Sequence, residues 1–249
     1  MRDMRITHIQ PMRDYFCRNA TFWLVALALA GGTLSDWTLP ASARGENRQG
    51  IAGPARVVDG DTIVVGEVRV RLEGIDAPEA GQTCARASPP EAWPCGAAAT
   101  AALVKLIGSK EVSCQSRGLD KYGRMLGVCF LGPQDINAWM VREGQAWAFT
   151  KYSASYVQEE AEARDRRAGI WQGEAIPAWE YRAQRWTKAE TNAPQGCAIK
   201  GNVTQNGKIY HMPWSPWYAQ IRMEPERGRR WFCSEAEALA AGWRPVNLR

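Results

Sequence analysis

The sequence predicts a mainly β fold with helices, of the α+β class: a five-stranded OB-type barrel with packed helices, followed by a small C-terminal domain stapled by a disulfide. The segment 54–74 alternates Val and Ile with polar residues and contains turn residues, which indicates three short strands. An Ala-rich segment with helical spacing comes next, and two more strand-like segments follow it. Five short strands with a helix between the third and the fourth match the element order of an OB barrel.

The remaining elements are predicted from their spacing and from their end signals. Asp135 is a suitable N-cap for the helix at 135–143, and Gly144 is a suitable stop. Gly169 ends the charged helix at 155–168 in the same way. After the first three strands, the predictions are a helix over 96–107, strands over 110–116 and 125–131, and helices over 135–143, 155–168 and 177–188.

Residues 1–43 are predicted to be a secretory signal peptide. Four Arg precede an apolar segment at 20–34, and the small residues Ala41, Ser42 and Ala43 form a cleavage pattern. An uncleaved signal anchor is the alternative, although the apolar segment of about 15 residues is shorter than the ~20 that a spanning helix needs. Both interpretations place the rest of the chain in an oxidising compartment, periplasmic or extracellular, and only the second attaches it to a membrane.

The rest of the chain is predicted to form two domains joined by polar linkers. In order, these are a linker at 44–53, the barrel domain at 54–188, a second linker at 189–195 and the C-terminal domain at 196–246. The net charge of the 249-residue chain is +5, and the leader holds four Arg and three Asp, so a basic excess persists without it. A charge of this size permits an anionic partner but does not require one.

Six Cys remain after Cys17, which lies in the leader. An even number of Cys in an exported chain predicts disulfides, and the spacing favours local pairs. No C-x-x-C occurs, which argues against a zinc ribbon or a thioredoxin-like motif. Many connectivities are possible with six Cys, and free buried thiols are the alternative. The favoured pairs are Cys84 with Cys95, Cys114 with Cys129, and Cys197 with Cys233.

The scarcity of His limits the chemistry that the chain can perform. It has two His, His8 in the leader and His211 near the C-terminus. Neither a multi-histidine metal site nor a nucleophile activated by His is therefore expected. Any catalysis must depend mainly on carboxylates, Arg, Lys or Cys.

Polar side chains are densest around the first predicted strands. Asp61 and Asp76 could converge if these strands pair, and two carboxylates with a backbone carbonyl and waters suit a hard divalent cation such as Ca²⁺. Glu79 follows Asp76 by three residues, close enough to act on a water beside such an ion. Arg71 could bind a phosphate, but Arg69 has the same strand parity, so one of the two could be a solvated strand charge.

A second polar cluster lies about forty residues further on, at Asp120 to Arg124. The forked donors of Arg124 suit a phosphate and the charge that develops on it in a transition state. Taken singly, each of these motifs is also typical of a turn or of a strand end.

Together, the motifs resemble the staphylococcal (micrococcal) nuclease family, whose members are also called thermonuclease-like. The resemblance rests on VVDGDTIVV, RVRLEGIDAPE and LDKYGR in this order, and INAWMVREGQAWA and ARDRRAGIW are similar to the later helices of the family. It covers residues 54–172, about half of the chain, with order and spacing preserved. It implies an OB barrel with helices and an enzyme that hydrolyses phosphodiester bonds of DNA and RNA with Ca²⁺ and leaves 3′-phosphate ends.

The resemblance also implies a role for each matched residue, and none of the roles requires His. The matched positions are Asp61 and Asp76 as calcium carboxylates, Ala77 as a ligand through its backbone carbonyl, Glu79 as the general base, Arg71 and Arg124 as catalytic arginines that bind the phosphate, Lys121 and Tyr122 as substrate contacts, and Asp59 as a further carboxylate near the ion.

Two departures from the family pattern concern substrate binding. Thr150 stands nearest to the position where the best-known member has a Tyr that packs on the nucleotide, and Tyr152 lies two residues further on. An insertion that carries Cys84 and Cys95 lies beside the site, where it either stabilises a loop or shapes substrate access.

Residues 196–246 resemble the small "sunset" domain appended to some secreted nuclease-like proteins, in the segments GCAIKGN, IYHMP and WFCSEAEALAAGWRP. That family has no well-defined activity, so the resemblance implies little about function. Ser234 predicts a capped helix that runs to Ala241. His211 with the two Cys could suggest a metal, but a disulfide with a structural His is favoured. A set of aromatic and Arg residues is either a surface for nucleic acid or glycan or part of a small core: Trp214, Trp217, Tyr218, Arg227, Arg229 and Arg230.

The leading hypothesis is therefore an exported Ca²⁺-dependent endonuclease that hydrolyses DNA and RNA by Glu-assisted attack of water on phosphate. The alternative is a non-catalytic module on the same barrel that binds nucleic acid or glycan. A third interpretation, an accessory protein of a surface polysaccharide or envelope process, is not addressed by the sequence. No stable protein partner is implied.

Overall fold

A computed structural model describes residues 50–87 and 91–246 of the chain, all of which belong to one structural unit. The predicted signal peptide lies outside the described residues. Within them, no helix combines the length and the apolar character that crossing a membrane requires.

The elements follow one another in the predicted order, with several short strands added. The strands are β1 (Gly50–Asp59), β2 (Thr62–Val65), β3 (Val68–Leu72), β4 (Ile75–Asp76), β5 (Cys84–Ala85), β6 (Ala92–Trp93), β7 (Glu111–Leu119), β8 (Met125–Leu131), β9 (Gln134–Asp135), β10 (Trp147–Ala148), β11 (Ile199–Thr204), β12 (Gly207–His211), β13 (Arg230–Phe232) and β14 (Arg244–Pro245). The α-helices are α1 (Cys95–Ile107), α2 (Ile136–Arg142), α3 (Val157–Asp165), α4 (Ala178–Asn192) and α5 (Glu235–Ala240).

Five of these strands close into a barrel, which confirms the predicted OB-like fold. Antiparallel neighbours run in the order β3-β2-β1-β7-β8, and a parallel pairing of β3 with β8 joins the two ends. Val70 lies opposite Met125 in that last pairing, and both side chains are buried. Alternate strand residues therefore fill one core, against which α1 packs Ala99 and Leu103.

Helix α2 is fixed to the barrel by its capping residue and by a buried amide. The side chain of Asp135 accepts a hydrogen bond from the backbone N–H of Ala138 at 2.9 Å, as the N-cap prediction requires. Asn137 is fully buried and bonds three backbone groups: its Nδ2 donates to the carbonyls of Glu73 and Gly127, and its Oδ1 accepts from the N–H of Cys129. The turn that leads from β3 to β4 is thereby tied to β8.

Strand β1 and helix α4 extend into the segments predicted as linkers. Strand β1 already begins at Gly50, because Gly50 to Pro54 pair with the first residues of β7. Helix α4 continues to Asn192, where the Thr191 hydroxyl and the Asn192 amide donate to carbonyls one turn earlier. The helix ends at Asn192 because Pro194 clashes with the helical conformation of the residue before it, Ala193, which is extended.

The three predicted disulfides are present within the described residues. Cys84–Cys95 closes the insertion before α1, and Cys114–Cys129 joins directly opposed residues of β7 and β8. Cys197–Cys233 closes the C-terminal unit, which is defined here as residues 197–246.

Helix α4 connects the barrel side of the molecule to the C-terminal unit. Trp179 packs beside Trp147 and Phe149, with ring centroids 6.2 and 5.3 Å away. Trp186, two turns later on the same face, packs on the core of the C-terminal unit, which contains Phe232. The helix therefore has apolar anchors on both sides, and the residues between its anchors have fixed positions.

Candidate active site

The pairing of β2 with β3 brings Asp61 and Arg71 together. Thr62 lies opposite Arg71 in this register, so the preceding residue, Asp61, meets the guanidinium from the strand end. Asp61 Oδ1 accepts a hydrogen bond from Arg71 Nη1, and Asp61 Oδ2 accepts one from the backbone N–H of Ala77 at 2.8 Å. The second arm of Arg71 donates to Asp76 Oδ1 at 2.6 Å. One guanidinium thus links the two carboxylates that the sequence predicts will converge.

Burial controls the electrostatics of this group. Asp61 is 4 % exposed and Asp76 is fully buried. Burial raises the pKa of Asp61 above its usual value, and nearby Asp59 adds to the rise while Arg71 opposes it. Burial by itself would lower the pKa of Arg71, but the carboxylates of Asp61 and Asp76 outweigh it and raise that pKa. The pair of buried acids is therefore stabilised chiefly by a guanidinium that stays charged.

Glu79 is held in the same region by a loop with two independent supports. Its backbone N–H donates to the side-chain Oε1 of Gln82 at 3.1 Å, while Gln82 Nε2 donates to the carbonyl of Ile176 at 2.6 Å. The loop also rests on the start of α1, where a Cβ added to Gly96 would overlap the carbonyl oxygen of Glu79. Burial raises the pKa of Glu79 to about 8, even though Arg182 acts to lower it.

Arg182, in α4, is a site residue that the sequence interpretation missed. It donates to Asp76 Oδ2 at 2.8 Å, to Asp76 Oδ1 at 3.1 Å and to Glu79 Oε1 at 2.8 Å. A signal was available: Trp179, Arg182 and Trp186 share one helical face, so a cation stands between two anchoring aromatics. A charge in an apolar stripe needs a partner, and here the partners are the active-site acids.

The second predicted cluster forms a tight turn between β7 and β8. Asp120 Oδ1 accepts from the N–H groups of Tyr122 and Arg124, and Asp120 Oδ2 accepts from Arg124 Nε at 2.7 Å. These bonds, chiefly those from Arg124, lower the pKa of Asp120 against the opposing effect of burial. The Lys121 ammonium lies 4.7 Å from the centroid of the Tyr122 ring, and the Arg124 guanidinium lies 5.4 Å from it.

One cavity of about 980 Å³ joins both clusters. Asp76 is fully buried and is not among the lining residues. The other predicted site residues line the cavity: Asp59, Asp61, Arg71, Ala77, Glu79, Lys121, Tyr122 and Arg124. Arg69 lines it too, so the interpretation of either strand arginine as a solvated charge is not supported. The Nε of Arg69 is buried and has no hydrogen-bond partner within the described residues.

The C-terminal unit forms part of the wall of this cavity. It contributes Tyr210 and Glu235, which are hydrogen-bonded to each other at 2.9 Å, and Trp214 and Ser215. Burial raises the pKa of Tyr122, and the carboxylate of Glu235 adds to the rise. The predicted substrate contacts of the barrel therefore face a second wall from another part of the chain.

The donor chemistry of the Asp61–Asp76 pair fits a hard cation. The pair offers carboxylate oxygens only, next to the backbone of Ala77, and such oxygens suit Ca²⁺. Within residues 50–87 and 91–246, no group of three or more His, Cys, Asp or Glu is arranged to hold a metal ion. A cation at the pair would therefore take further ligands from the backbone and from water.

Comparison with known proteins agrees with this geometry. A family model described as "Staphylococcal nuclease homologue" matches residues 69–173. The micrococcal nuclease of Shigella flexneri is 36% identical over 156 residues, which cover 55% of this chain and 80% of the relative. The chain belongs to the staphylococcal nuclease family.

Other relatives of this nuclease family differ in their names. The succinoglycan biosynthesis protein ExoI of Rhizobium meliloti (strain 1021) is 35% identical over 138 residues, which cover 54% of this chain and 72% of the relative. An uncharacterized endonuclease of Escherichia coli O157:H7 is 35% identical over 138 residues, which cover 52% of this chain and 83% of the relative. About half of the chain is thus nuclease-like.

The C-terminal part of the chain matches a different family model. A family model described as "ArfC" matches residues 181–245, so the match begins inside α4 and includes Arg182. The predicted sunset-like character of this part stays a prediction. Arg182 lies outside the matched nuclease segment, although it contacts two of the predicted nuclease residues.

Several predictions for the C-terminal unit can be compared with its structure. Cys197 and Cys233 form a disulfide, and the Nδ1 of His211 lies 3.3 Å from the hydroxyl of Ser215, which fits a structural His. Tyr218 donates to the carbonyl of Ala198 at 2.6 Å, and Arg229 binds Asn202 and Glu224. These groups serve the unit's own structure, whereas Trp214 faces the shared cavity.

Thr150 stands nearest to the position where the best-known family member has a Tyr that packs on the nucleotide. Thr150 is exposed, whereas Phe149 and Tyr152 line the cavity with ring centroids 5.0 Å apart. Aromatic surface is therefore present near the departure from the family pattern.

Proposed function

We propose that the chain is an exported, Ca²⁺-dependent nuclease that hydrolyses DNA and RNA at the cavity between the barrel and the C-terminal unit. As a member of its family, the chain is a thermonuclease-like hydrolase of phosphodiester bonds. The observation that carries the proposal is the convergence of Asp61, Asp76, Arg71 and Glu79 at one end of the barrel, beside the turn that bears Arg124.

The protein groups divide the reaction between them. Glu79 accepts a proton from the attacking water, and the contacts of its loop with Gln82 and with the start of α1 hold it at the cavity. Arg71 and Arg124 donate to the phosphate oxygens and offset the charge that grows on them in the transition state. Lys121 and Tyr122 hold the neighbouring nucleotide or phosphate. Asp61, Asp76 and the carbonyl of Ala77 would hold Ca²⁺, with Asp59 nearby, and the bound ion would supply positive charge next to the phosphate.

Arg71 must partly exchange partners for this chemistry, whereas Arg124 can keep the contact of its Nε with Asp120 and bind a phosphate through its Nη groups. Arg124 is bound to Asp120, and Arg71 is bound to Asp61 and Asp76. Each arginine has more than one N–H group, so a phosphate can be bound while one carboxylate contact is kept. A phosphate site requires hydrogen-bond donors that are already oriented, and the N–H groups of Arg71 and Arg124 meet this requirement.

Export remains part of the proposal. Three disulfides support it, because such bonds persist in oxidising compartments. The predicted leader would direct the chain there, and an uncleaved leader would leave it attached to a membrane.

The test is digestion of single- and double-stranded DNA and of RNA by the purified mature chain, with Ca²⁺ and then with EGTA. We expect cleavage that requires Ca²⁺, and a loss of about a hundredfold or more in kcat for Glu79→Gln, since general base catalysis contributes roughly 10²–10⁴-fold. Glu67→Gln, at an exposed turn residue that does not line the cavity, is the matched control and should keep full activity.

Two other outcomes separate the competing hypotheses. Intact substrate with the wild-type chain and Ca²⁺, together with measurable binding of the nucleic acid, would favour the non-catalytic binding module. Undiminished cleavage by Glu79→Gln would leave the nuclease in place but reject Glu79 as its base.

A further inference from the structure

We propose that Arg182 acts as an internal cation of the active site, which occupies Asp76 and Glu79 in competition with a divalent metal ion and so lowers the affinity for that ion. The proposal rests on the proposed function, because it takes the Asp61–Asp76 pair as the cation site. It adds a residue and a control that come from outside the matched nuclease segment.

Arg182 already binds the carboxylate oxygens that a metal ion at Asp76 would need. Its Nη2 donates to Asp76 Oδ2 at 2.8 Å and its Nη1 donates to Asp76 Oδ1 at 3.1 Å, which is a two-armed contact with one carboxylate. The same Nη1 reaches Glu79 Oε1 at 2.8 Å. Asp76 Oδ1 also accepts from Arg71, so both oxygens of this fully buried acid have guanidinium partners.

A metal ion that binds Asp76 must therefore displace at least one guanidinium contact. Arg71 is a strand residue of the barrel and also binds Asp61, so it can keep Asp61 when it releases Asp76. Arg182 contacts only Asp76 and Glu79 among the described acids, and a cation there would stand close to its charge. Arg71 competes with the ion as well, since it binds one oxygen of each carboxylate. Arg182 is the competitor that binds both oxygens of Asp76, and it comes from a helix outside the barrel.

The packing of helix α4 on both sides of Arg182 fixes the position of this residue. Trp179 holds the start of α4 against Trp147 and Phe149, and Trp186 holds the next turns against the core of the C-terminal unit. A guanidinium held between two anchors loses little further freedom when it binds the acids, so it competes effectively with an ion from solution. The cation affinity of the site should thus depend on a helix that the nuclease match does not include.

The experiment measures Ca²⁺ binding by calorimetry in the full mature chain, with no nucleic acid present. We expect Arg182→Ala to bind Ca²⁺ about tenfold or more tightly than the wild type, because loss of the competing charged hydrogen bonds favours the ion by at least that factor. Arg182→Lys keeps the charge but loses the two-armed contact, and its affinity should lie between the two.

A second readout uses stability. Without Ca²⁺, Arg182→Ala should melt at a lower temperature than the wild type, because Asp76 and Glu79 lose a counter-charge. Saturating Ca²⁺ should raise its melting temperature by more than it raises that of the wild type. Lys188→Ala, on an exposed part of α4, removes one positive charge from the same helix and should change neither the affinity nor the Ca²⁺-induced shift.

The outcomes distinguish this proposal from the proposed function. Equal Ca²⁺ affinity in the wild type and in Arg182→Ala, or weaker binding in the variant, overturns the role of Arg182 while leaving a Ca²⁺-dependent nuclease intact. Binding by Arg182→Ala where the wild type shows none supports the proposal in its strongest form. No Ca²⁺ binding by any variant overturns both the cation site and the competition for it.

Discussion

Asp76 accepts hydrogen bonds from two guanidinium groups that lie more than a hundred residues apart in the chain, Arg71 and Arg182. A fully buried carboxylate is costly unless it is paired, and here two cations and the neighbouring acids form one network. Loss of a single member leaves an uncompensated charge, so single substitutions in this network have large effects. At the scale of the residue, the site is therefore organised by shared hydrogen bonds rather than by any one side chain.

Gln82 is a positioning residue whose substitution tests this organisation. Gln82→Met keeps most of the volume but loses the bonds to the Glu79 N–H and the Ile176 carbonyl. We expect a lower kcat with little change in KM, because the Glu79 loop loses its fixed position. The free energy of unfolding should fall by about 1–3 kcal/mol, since two part-buried hydrogen bonds to the backbone are lost.

The measurements are steady-state kinetics on an oligonucleotide and urea unfolding. Gln184→Met, at an exposed position of α4, is the matched control and should resemble the wild type in both. A Gln82→Met enzyme with wild-type kcat would show that Glu79 needs no such support.

At the scale of the element, the start of α1 and the Glu79 loop pack backbone to backbone. Gly96 is buried at the second position of the helix, and its N–H donates to the carbonyl of Gln82 at 3.2 Å. The Cys84–Cys95 disulfide closes the insertion that connects the loop to the helix. The disulfide-closed insertion therefore helps to hold the loop that bears Glu79, which agrees with the interpretation that the insertion stabilises a loop.

Gly96→Ala tests the close approach of these two elements. Ala is a better helix former than Gly, so α1 itself should tolerate the change. The added methyl group would overlap the Glu79 carbonyl and must displace the loop. We expect cleavage to fall by roughly tenfold to a hundredfold, since an error of about 1 Å in a catalytic group has effects of that size.

The check is kcat at saturating Ca²⁺ and substrate, together with helix content by circular dichroism. Ala97→Ser alters the adjacent exposed position of α1 and should leave kcat unchanged. Full activity of Gly96→Ala would mean that the loop can shift without impairing the proposed role of Glu79 as the base.

At the scale of the whole molecule, the cavity belongs to two parts of the chain. The barrel supplies the predicted catalytic residues, and the C-terminal unit supplies Tyr210, Trp214 and Glu235 as a facing wall. Helix α4 joins both parts through Trp179 and Trp186. Changes in the stability of the C-terminal unit should therefore affect the shape of this cavity.

His211 makes the stability of this unit depend on pH. Burial lowers the pKa of His211 to about 4, and the charge of Lys200 adds to the effect. Between about pH 6.5 and pH 4 the unfolded chain binds a proton here while the folded chain does not, so stability falls as the pH falls through this window. We expect the wild type to lose roughly 1–3 kcal/mol more than His211→Asn between pH 7.5 and pH 4.

The measurement is the difference in unfolding free energy between the two proteins across this range, because carboxylates titrate in both and cancel. Asn can keep a hydrogen bond to Ser215, the partner of His211 Nδ1, which limits other effects of the substitution. A difference that does not change with pH would show that His211 is protonated equally in both states.

Much of the fold could be predicted because its signals are local. Alternating Val and Ile residues fix the strands, and Asp135 and Ser234 each cap the helix that was expected after them. Each disulfide joins two cysteines that follow one another among the cysteines of the chain, and Cys114 and Cys129 lie on strands joined by one turn. Short connections leave few alternatives for such pairs, so spacing was sufficient.

Local sequence patterns are enough to predict the barrel, the three disulfides and the set of acids and arginines at the end of the first strands, because β2 and β3 are adjacent in the chain and their register follows from a tight turn. Three features could be recognised only from the folded chain: Arg182 reaches Asp76 and Glu79, Gly96 has to be small, and the C-terminal unit lines the cavity. The reason is that these contacts depend on the direction in which α1 and α4 pack against the barrel. Packing direction is set by many side chains that are distant in sequence, and no local pattern encodes it.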